Sequence, residues 1–293
     1  MKKRAVLTVA VAGVVLLSSA CASAPPAAPA APTVGDGQKL GWILRLEDRR
    51  ILASEGSSVA MPPAAPARPG ARSLAPAFVA APDLRVLAHD PSARIRRRVA
   101  LAIGRVGLED GLPVLARLLQ DAEPEVRAMA AFATGLIGSR DGIASLTAAL
   151  TDASPLVQGR AAEGLGLIGE PSSAGAVASM AIAYVPQAAA MSGDQETAAS
   201  AEADAWRLAA FALVRMRNWD ALARITVGEA GAVTTWWPAA FALQRINNPA
   251  ALPALRQLAA GAGAVGPAFA MRGLSDHRDN AARPLLTKSA LDA

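Results

Sequence analysis

The chain has few residues of the kinds that carry catalytic chemistry. Its 293 residues include one cysteine, Cys21, and two histidines, His89 and His277. Neither histidine belongs to a metal-ligand spacing pattern. The sequence also lacks a GxSxG nucleophile motif, a Walker motif and a glycine-rich loop between a strand and a helix. We therefore predict a protein that is not an enzyme, with no catalytic residue, no metal and no cofactor.

Aromatic side chains make up only 4% of the sequence, whereas hydrophobic residues as a whole reach 53%. Many of the hydrophobic residues are alanines, and alanine-rich helices form a core by packing closely. The formal net charge is +5, and residues 1–20 contribute three positive charges and no negative ones. The remaining chain carries +2, a value that does not favour a nucleic-acid partner.

Residues 1–20 have the organisation of a secretory signal peptide. Three basic residues precede an apolar run over 5–17, which is too short to span a bilayer comfortably. Small residues then lead to Cys21 in the sequence LSSAC, which resembles the lipobox of bacterial lipoproteins. The resemblance implies that Cys21 is acylated, although Ser18 replaces the usual aliphatic residue. The alternative is ordinary cleavage nearby, which would leave a free thiol.

A lipidated Cys21 implies a protein anchored at the bacterial cell envelope and facing the periplasm, with inner and outer membrane both open. Residues 21–37 are rich in proline and alanine and predict a semi-rigid tether. Residues 38–80 predict an N-terminal capping helix followed by a mobile loop. We expect the folded repeats to occupy residues 81–293.

Three segments of the chain repeat with a period of 31 residues. They begin at Asp90, Asp121 and Asp152, and their sequences are DPSARIRRRVALAIGRVG, DAEPEVRAMAAFATGLIG and DASPLVQGRAAEGLGLIG. Such self-similarity indicates a solenoid, in which each unit buries its apolar face against its neighbours. Apolar residues three and four apart predict a helix in each segment, with the aspartate supplying N-cap chemistry and the final glycine a C-cap.

A shorter helical pattern precedes each of these segments, as in LPVLARLLQ at 112–120. The combined pattern resembles the HEAT-like repeats of phycocyanobilin lyase subunits, and the resemblance covers about residues 82–288. It implies an all-α fold, a HEAT-like α-solenoid built as a superhelix of antiparallel helix pairs. Only the repeat is shared, because no chromophore-handling or thiol-handling residue can be matched.

Beyond residue 170 the repeat continues in a less regular form. We interpret residues 185–203 as a loop inserted between the two helices of the fourth pair. Residues 282–290 predict a first helix without a second one. Because the last repeat is only half present, an alternative is that the repeats are a substrate-recruiting arm for a C-terminal catalytic module, such as a peptidyl-prolyl isomerase.

Charged residues recur at fixed positions of the repeat. The resemblance to HEAT repeats implies a structural ladder of aspartates and arginines, formed by Asp90, Arg96, Asp121, Arg127 and Asp152. A separate basic cluster consists of Arg94, Arg97 and Arg98. It is either a solvated helix face or a site for an acidic partner or anionic lipid.

One position of the second helices is unexpectedly apolar. It is occupied by Leu101, Phe132, Phe211, Phe241 and Phe269, which include four of the five phenylalanines, and by Glu163 in the third unit. Arg105, Arg215 and Arg245 follow one helical turn later. The family pattern implies that this position faces the concave side, so these residues predict a binding groove with a basic rim.

The alternative is that the rings pack between helices or lie under the loops at 53–80 or 185–203. Our sequence-based prediction is a non-catalytic, envelope-associated scaffold that binds a protein or peptide along its concave face. An anionic-lipid or envelope-surface binder is a further alternative. The sequence does not indicate the identity of the partner or the oligomeric state.

Overall fold

The computed structural model of the chain describes residues 34–54, 82–285 and 287. The predicted signal peptide, Cys21 and most of the predicted tether and mobile loop lie outside the described residues. The first helix already begins at Asp36, two residues before the predicted start of the capping segment at residue 38. None of the helices within the described ranges is both long and apolar enough to cross a membrane.

Helices account for most of the described residues. In chain order they are α1 (Asp36–Asp48), α2 (Leu84–Leu87), α3 (Ala93–Val106), α4 (Leu112–Leu118), α5 (Pro124–Ile137), α6 (Ile143–Ala149), α7 (Pro155–Ile168), α8 (Ala174–Ile182), α9 (Val185–Ala189), α10 (Ala201–Arg215), α11 (Trp219–Thr226), α12 (Trp237–Ile246), α13 (Leu252–Ala259) and α14 (Val265–Asp276). Two short antiparallel strands, β1 (Val227–Gly228) and β2 (Gly231–Ala232), lie between α11 and α12.

The helices form pairs, as the repeat predicts, and the fold is an all-α HEAT-like solenoid. The first helices of the pairs are α2, α4, α6, α8, α11 and α13, and the second helices are α3, α5, α7, α10, α12 and α14. The bounds of α3, α5 and α7 repeat with a spacing of 31 residues, as do those of α4 and α6. The sequence period therefore corresponds to one helix pair in the first three units.

Local signals explain where the second helices begin and end. Proline occupies the first turn of α5 and α7, where its missing N–H costs no hydrogen bond. The helices α3, α5 and α7 end at Gly107, Gly138 and Gly169, whose φ angles of 77°, 75° and 76° are left-handed. The predicted glycine C-caps are therefore confirmed.

The predicted N-caps are wrong in one respect. The N-cap residues of α3, α5 and α7 are Ser92, Glu123 and Ser154, and none of their side chains caps the helix. In each unit an aspartate lies two residues earlier, and its carboxylate accepts the N–H of the N-cap residue. This turn leaves the other carboxylate oxygen free to pair with a basic side chain.

The second helices approach one another closely through small residues. Gly104 faces Ala133, Gly135 faces Gly164, and Gly166 faces Ala212. A Cβ atom added to Gly135 would lie 2.4 Å from the Cα atom of Gly164, far inside van der Waals contact. Successive second helices therefore form one tightly packed layer.

The buried residues form two groups. The larger one runs from Ile43 in α1 to Ala242 in α12, and the smaller one runs from Ala240 to Ala282. Trp206 and Trp236 are the largest fully buried side chains, and their ring centroids lie 6.1 Å apart. Most of the remaining core is Ala, Leu, Ile and Val, which is how a chain with few aromatics fills its interior.

The helix α1 covers the N-terminal end of this core. Its Ile43 and Leu46 are buried, and Lys39 forms an ion pair with Asp90 at 2.6 Å between Nζ and Oδ2. Residues 52–54 then pair with residues 82–84 through backbone hydrogen bonds. Helix α1 therefore packs directly against the first repeat.

Candidate binding surface on the second helices

The arginines of the ladder connect each unit to the next. Arg96 donates hydrogen bonds from Nε and Nη2 to the two carboxylate oxygens of Asp121, at 2.6 and 2.8 Å. Arg127 makes the same two bonds to Asp152, at 2.8 and 2.9 Å. The Nη1 atom of each arginine also donates to two backbone carbonyls of its own unit. These bidentate, charge-assisted bonds link neighbouring repeats.

The ladder begins at the Lys39–Asp90 pair and ends with neutral groups. Gln158 occupies the position of the arginines, and its amide donates to the Asp152 carbonyl. The Tyr184 hydroxyl then donates to the Gln158 side-chain oxygen at 2.8 Å. The ladder residues are thus engaged with one another, and their carboxylates do not face an open site.

The ladder also affects the titration of its aspartates. The hydrogen bonds from Arg96 hold the pKa of Asp121 below its ordinary value of 3.8, although burial opposes this shift. The bonds from Arg127 lower the pKa of Asp152 in the same way. Both carboxylates are therefore held in the charged form.

The basic cluster is divided among different contacts. Arg98 pairs with Glu47 of α1 and is largely buried, and Arg97 lies 3.6 Å from Glu125. Arg94 is exposed and makes no ion pair with the described residues. The interpretation of all three arginines as one free anionic-partner site is therefore wrong for Arg98. That side chain is needed to attach the capping helix.

Arg105 also belongs to the attachment of α1. Its Nη1 atom donates to Oε1 of Glu47 at 2.9 Å, so that Glu47 is held by two arginines. Burial raises the pKa of Glu47, but the hydrogen bonds from Arg105 and Arg98 outweigh it and leave the pKa below 4.5. Arg105 therefore does not share a basic rim with Arg215 and Arg245, because it is held at the opposite end of the solenoid.

Three of the predicted phenylalanines form a continuous aromatic cluster. The ring centroids of Phe211 and Phe241 lie 5.2 Å apart, and those of Phe241 and Phe269 lie 5.3 Å apart, both with edge-to-face geometry. Trp237 adds a fourth ring within 6.3 Å of all three phenylalanines. Each of the four side chains is partly exposed to solvent. The cluster lies on three consecutive second helices, α10, α12 and α14.

The aromatic cluster lines a cavity of about 470 Å³. The lining residues are Phe211, Val214, Arg215, Trp237, Phe241, Arg245 and Phe269. We call this cavity the aromatic cavity. The sequence analysis found five of these seven residues and missed Val214 and Trp237 as lining residues. Trp237 lies one helical turn before Phe241, a spacing that indicates a shared helix face.

Phe132 and Leu101, which occupy the same repeat position as the clustered phenylalanines, lie apart from the aromatic cavity. The Arg160 guanidinium lies over the Phe132 ring, 5.6 Å from its centroid, and also pairs with Glu163 at 2.6 Å. Leu101 borders a separate cavity of about 250 Å³ beside the basic cluster. Leu101 and Phe132 are therefore separate from the aromatic cavity, and Glu163 occupies the same repeat position in the third unit.

The inserted segment, residues 185–203, forms hydrogen bonds with residues around the aromatic cavity. The carbonyl oxygen of Gln195 accepts hydrogen bonds from the indole N–H groups of Trp236 and Trp237, at 2.6 and 3.1 Å. The Trp237 backbone N–H donates to the Gly193 carbonyl at 2.8 Å. Asp194 accepts the backbone N–H groups of Ala264 and Val265 at the start of α14. None of the residues 185–203 lines the aromatic cavity.

These contacts fix the orientation of the exposed indole. Trp236 is fully buried, whereas Trp237 is held by its N–H on one side and by three rings on the other. A ring fixed in this way loses little conformational entropy when a ligand binds. The described residues contain no group of three or more His, Cys, Asp or Glu side chains that could hold a metal ion.

Fold and surface together define a HEAT-like repeat protein with a partly exposed aromatic site on its second helices. Residues 113–192 match the family of HEAT repeats, and residues 95–121 match the family of PBS lyase HEAT-like repeats. The complex of CpcE and CpcF of phycocyanin lyase from Nostoc sp. PCC7120 is similar at 20% identity, with a TM-score of 0.47. That match covers 74% of this chain and 80% of the other chain.

An engineered protein is also similar, at 19% identity and a TM-score of 0.43, over 66% of this chain and 94% of the other. No curated protein matches this chain.

Proposed function

We propose that this protein is a non-catalytic scaffold of the bacterial cell envelope that binds a protein or peptide on its second helices. The observation that carries the proposal is the aromatic cavity, formed by Phe211, Trp237, Phe241 and Phe269 on three successive helices. Apolar side chains of this size are normally withdrawn from water. A cluster of four partly exposed rings is typical of a binding surface.

The size and rigidity of the aromatic cavity favour a specific ligand. A volume of about 470 Å³ accommodates several apolar side chains of a partner. The edge-to-face contacts among the rings and the hydrogen bonds to the inserted segment hold the site in shape before a partner arrives. Binding to a preformed site avoids part of the entropy cost of association.

The composition of the lining favours binding over catalysis. It consists of four aromatic residues, one valine and two arginines, and it includes no carboxylate, histidine, cysteine or hydroxyl group. An enzyme of the acid–base or nucleophilic kind needs such groups beside its substrate. We therefore propose no reaction at this site.

The location in the cell envelope is proposed from the N-terminal sequence. A basic segment, an apolar run and the sequence LSSAC at 17–21 support secretion and acylation of Cys21. Acyl chains insert into a membrane and hold the attached protein there. The Pro/Ala-rich segment that follows would hold the repeats away from the membrane surface.

Site-specific photocrosslinking in intact cells tests the binding face. A photoreactive phenylalanine analogue placed at Phe241 should form adducts with a partner protein, because that ring borders the aromatic cavity. The control places the same analogue at Ile182, which is 42% exposed on the first helix α8. Adducts equally frequent at both positions would contradict the proposal.

A further inference from the structure

A second cavity continues the aromatic cavity toward the C-terminal ends of α10 and α12. It measures about 740 Å³ and shares Val214, Arg215 and Arg245 with the aromatic cavity. Its remaining lining comes from the ends of α7, α10 and α12, and comprises Gly166, Leu167, Gly169, Arg217, Ile246 and Asn247. We call the two cavities together the binding track. One end of the track is aromatic and the other is polar and cationic.

The cationic end of the track carries three unneutralised arginines. Arg215, Arg217 and Arg245 are exposed and form no ion pair or side-chain hydrogen bond with the described residues. Neither cavity of the track is lined by an Asp or Glu side chain. The three residues therefore differ from the arginines of the ladder and of the capping helix contact, each of which has a carboxylate partner.

The helix dipole stabilises the charge of two of these arginines, but it does not occupy their hydrogen-bond donors. Arg215 and Arg245 lie in the last turn of α10 and α12, where the helix dipole stabilises a positive charge. That interaction leaves the guanidinium donors unoccupied. A guanidinium with free donors binds a carboxylate through two parallel hydrogen bonds.

The spacing along the helices sets the distance between the two ends of the track. Arg215 follows Phe211 by four residues, and Arg245 follows Phe241 by four residues. Four residues of α-helix rise about 6 Å. An extended peptide covers that distance with about two residues, since each advances the chain by roughly 3.3 Å. An apolar side chain in the aromatic cavity therefore places a residue two positions away beside the arginines.

We propose that the binding track recognises an acidic-apolar peptide segment of a partner protein. An aromatic or large aliphatic side chain occupies the aromatic cavity, and an Asp or Glu within about two residues of it pairs with Arg215 and Arg245. This inference rests on the proposed function and adds the chemical class of the partner. Charge complementarity makes the binding track selective among apolar segments, because a segment with basic or neutral neighbouring residues leaves the arginines unpaired.

Selection from an unbiased peptide library tests this inference. A phage library displaying random twelve-residue peptides is selected on the immobilised full chain and, in parallel, on the Phe241→Ala variant. Circular dichroism verifies the helix content of the variant, and Phe241→Leu replaces it if that content falls. We expect peptides enriched on the wild type to contain an apolar residue with Asp or Glu within two positions.

The enriched peptide is then synthesised with a fluorescent label, and its binding is measured by fluorescence anisotropy. The Arg215→Gln/Arg245→Gln double variant should weaken binding about twofold to thirtyfold, the range expected for two exposed ion pairs. The matched control, Arg117→Gln/Arg140→Gln, removes the same charge from exposed residues outside the binding track and should bind like the wild type. Raising the salt concentration should also weaken binding to the wild type.

The outcomes separate this inference from the proposed function. Enriched peptides that require Phe241 but show no excess of Asp or Glu over the starting library overturn the acidic-apolar class and leave peptide binding intact. No enrichment relative to the Phe241 variant overturns both. Flotation with phosphatidylglycerol vesicles that is lost in the Arg215→Gln/Arg245→Gln variant would assign the track to anionic lipid and overturn the peptide proposal.

Discussion

At the scale of single residues, the charged side chains of this protein have two different environments. Arg96 and Arg127 are half-buried and bonded to carboxylates of the following unit, whereas Arg215 and Arg245 are exposed and unpaired. Buried charges require partners because desolvation is otherwise costly. The ladder arginines therefore serve stability, and the unpaired arginines beside the aromatic cavity are available for recognition.

Replacing Asp152 by Asn should destabilise the protein by about 1–3 kcal/mol, because it leaves the half-buried Arg127 without its charged partner. Urea unfolding at neutral pH measures the change. Asp141→Asn, at an exposed position outside the ladder, is the control and should change the free energy of unfolding by less than about 0.5 kcal/mol. Equal effects of the two substitutions would contradict a stabilising role for the ladder.

The same pair predicts a dependence on pH. Since Arg127 lowers the pKa of Asp152 in the folded protein, the stabilisation is fully present above the unfolded pKa, near 3.8, and is lost as the pH falls through the folded value. The difference in stability between the wild type and Asp152→Asn should therefore be constant from neutral pH down to about pH 5. It should shrink below pH 4.

The ladder residues were accessible to sequence reasoning, whereas Trp237 as part of the site was not. Asp121 and Asp152 recur at the repeat period, as do Arg96 and Arg127, and the resemblance to HEAT repeats implies that these positions form a ladder. Trp237 has no counterpart in the other units. Its role depends on Gln195, 42 residues earlier in the chain, and no local pattern predicts a hydrogen bond over that distance.

At the scale of helices, small residues decide how closely the units stack. Gly104, Gly135 and Gly166 occupy the same position of successive units, and each faces a glycine or alanine of the next second helix. The sequence analysis did not identify this series, although its 31-residue spacing was visible. Proline and glycine at the helix ends were informative because they act locally. The close contacts arise only when helices from different units meet.

Gly135→Ala should destabilise the protein by about 1–3 kcal/mol, because the new methyl group would overlap the backbone of Gly164 and separate α5 from α7. Thermal unfolding followed by circular dichroism measures the effect. Gly175→Ala is the matched control, since an added Cβ there meets no atom within 4 Å. We expect it to be neutral or stabilising by up to about 1 kcal/mol. A neutral Gly135→Ala would rule out the close approach.

The inserted segment was predicted as a loop, but it contains the short helix α9 (Val185–Ala189) and the first residues of α10, and Asp194 between them contacts α14. Asp194 accepts two backbone N–H groups at the start of α14, at 2.6 and 2.9 Å. These hydrogen bonds lower the pKa of Asp194 below 3.8. The segment thereby connects the fourth helix pair directly to the sixth, across the boundary between the two buried groups.

Asp194→Ala should increase hydrogen–deuterium exchange in α14, because the first N–H groups of that helix lose their acceptor. Mass spectrometry of peptides covering residues 265–276 measures the exchange. The control is Glu196→Gln, an exposed position in the same segment. If both variants exchange like the wild type, Asp194 does not hold α14 in place.

At the scale of the whole molecule, the solenoid has a regular half and a specialised half. Residues 90–169 repeat with a constant period and carry the ladder, while the aromatic cavity lies entirely on residues 211–269. The repeat allowed the fold to be predicted from the sequence. The sequence supplied five of the seven residues that line the aromatic cavity, but it could not show that Leu101 and Phe132 lie apart from them, because that depends on which residues meet in space.

Membrane attachment belongs to this scale as well. Cys21→Ser should move the protein from the membrane fraction to the soluble fraction of the cell, because it removes the residue proposed to carry the lipid. Fractionation with immunoblotting measures the change, and labelling with an alkyne fatty acid reports acylation directly. Ser23→Ala is the control and should remain in the membrane fraction. A Cys21→Ser protein that stays there would contradict the anchor.

The forward direction of the ladder has a consequence for how this chain can be lengthened. Each arginine reaches the aspartate 25 residues ahead, and each close-packing glycine faces a small residue of the following helix. A duplicated copy of residues 121–151 would meet its neighbours through contacts already present between Arg96 and Asp121 and between Gly104 and Ala133. The regular half can therefore be lengthened by whole units. In the specialised half, a unit inserted between Asp194 and the backbone N–H groups it accepts would break those hydrogen bonds.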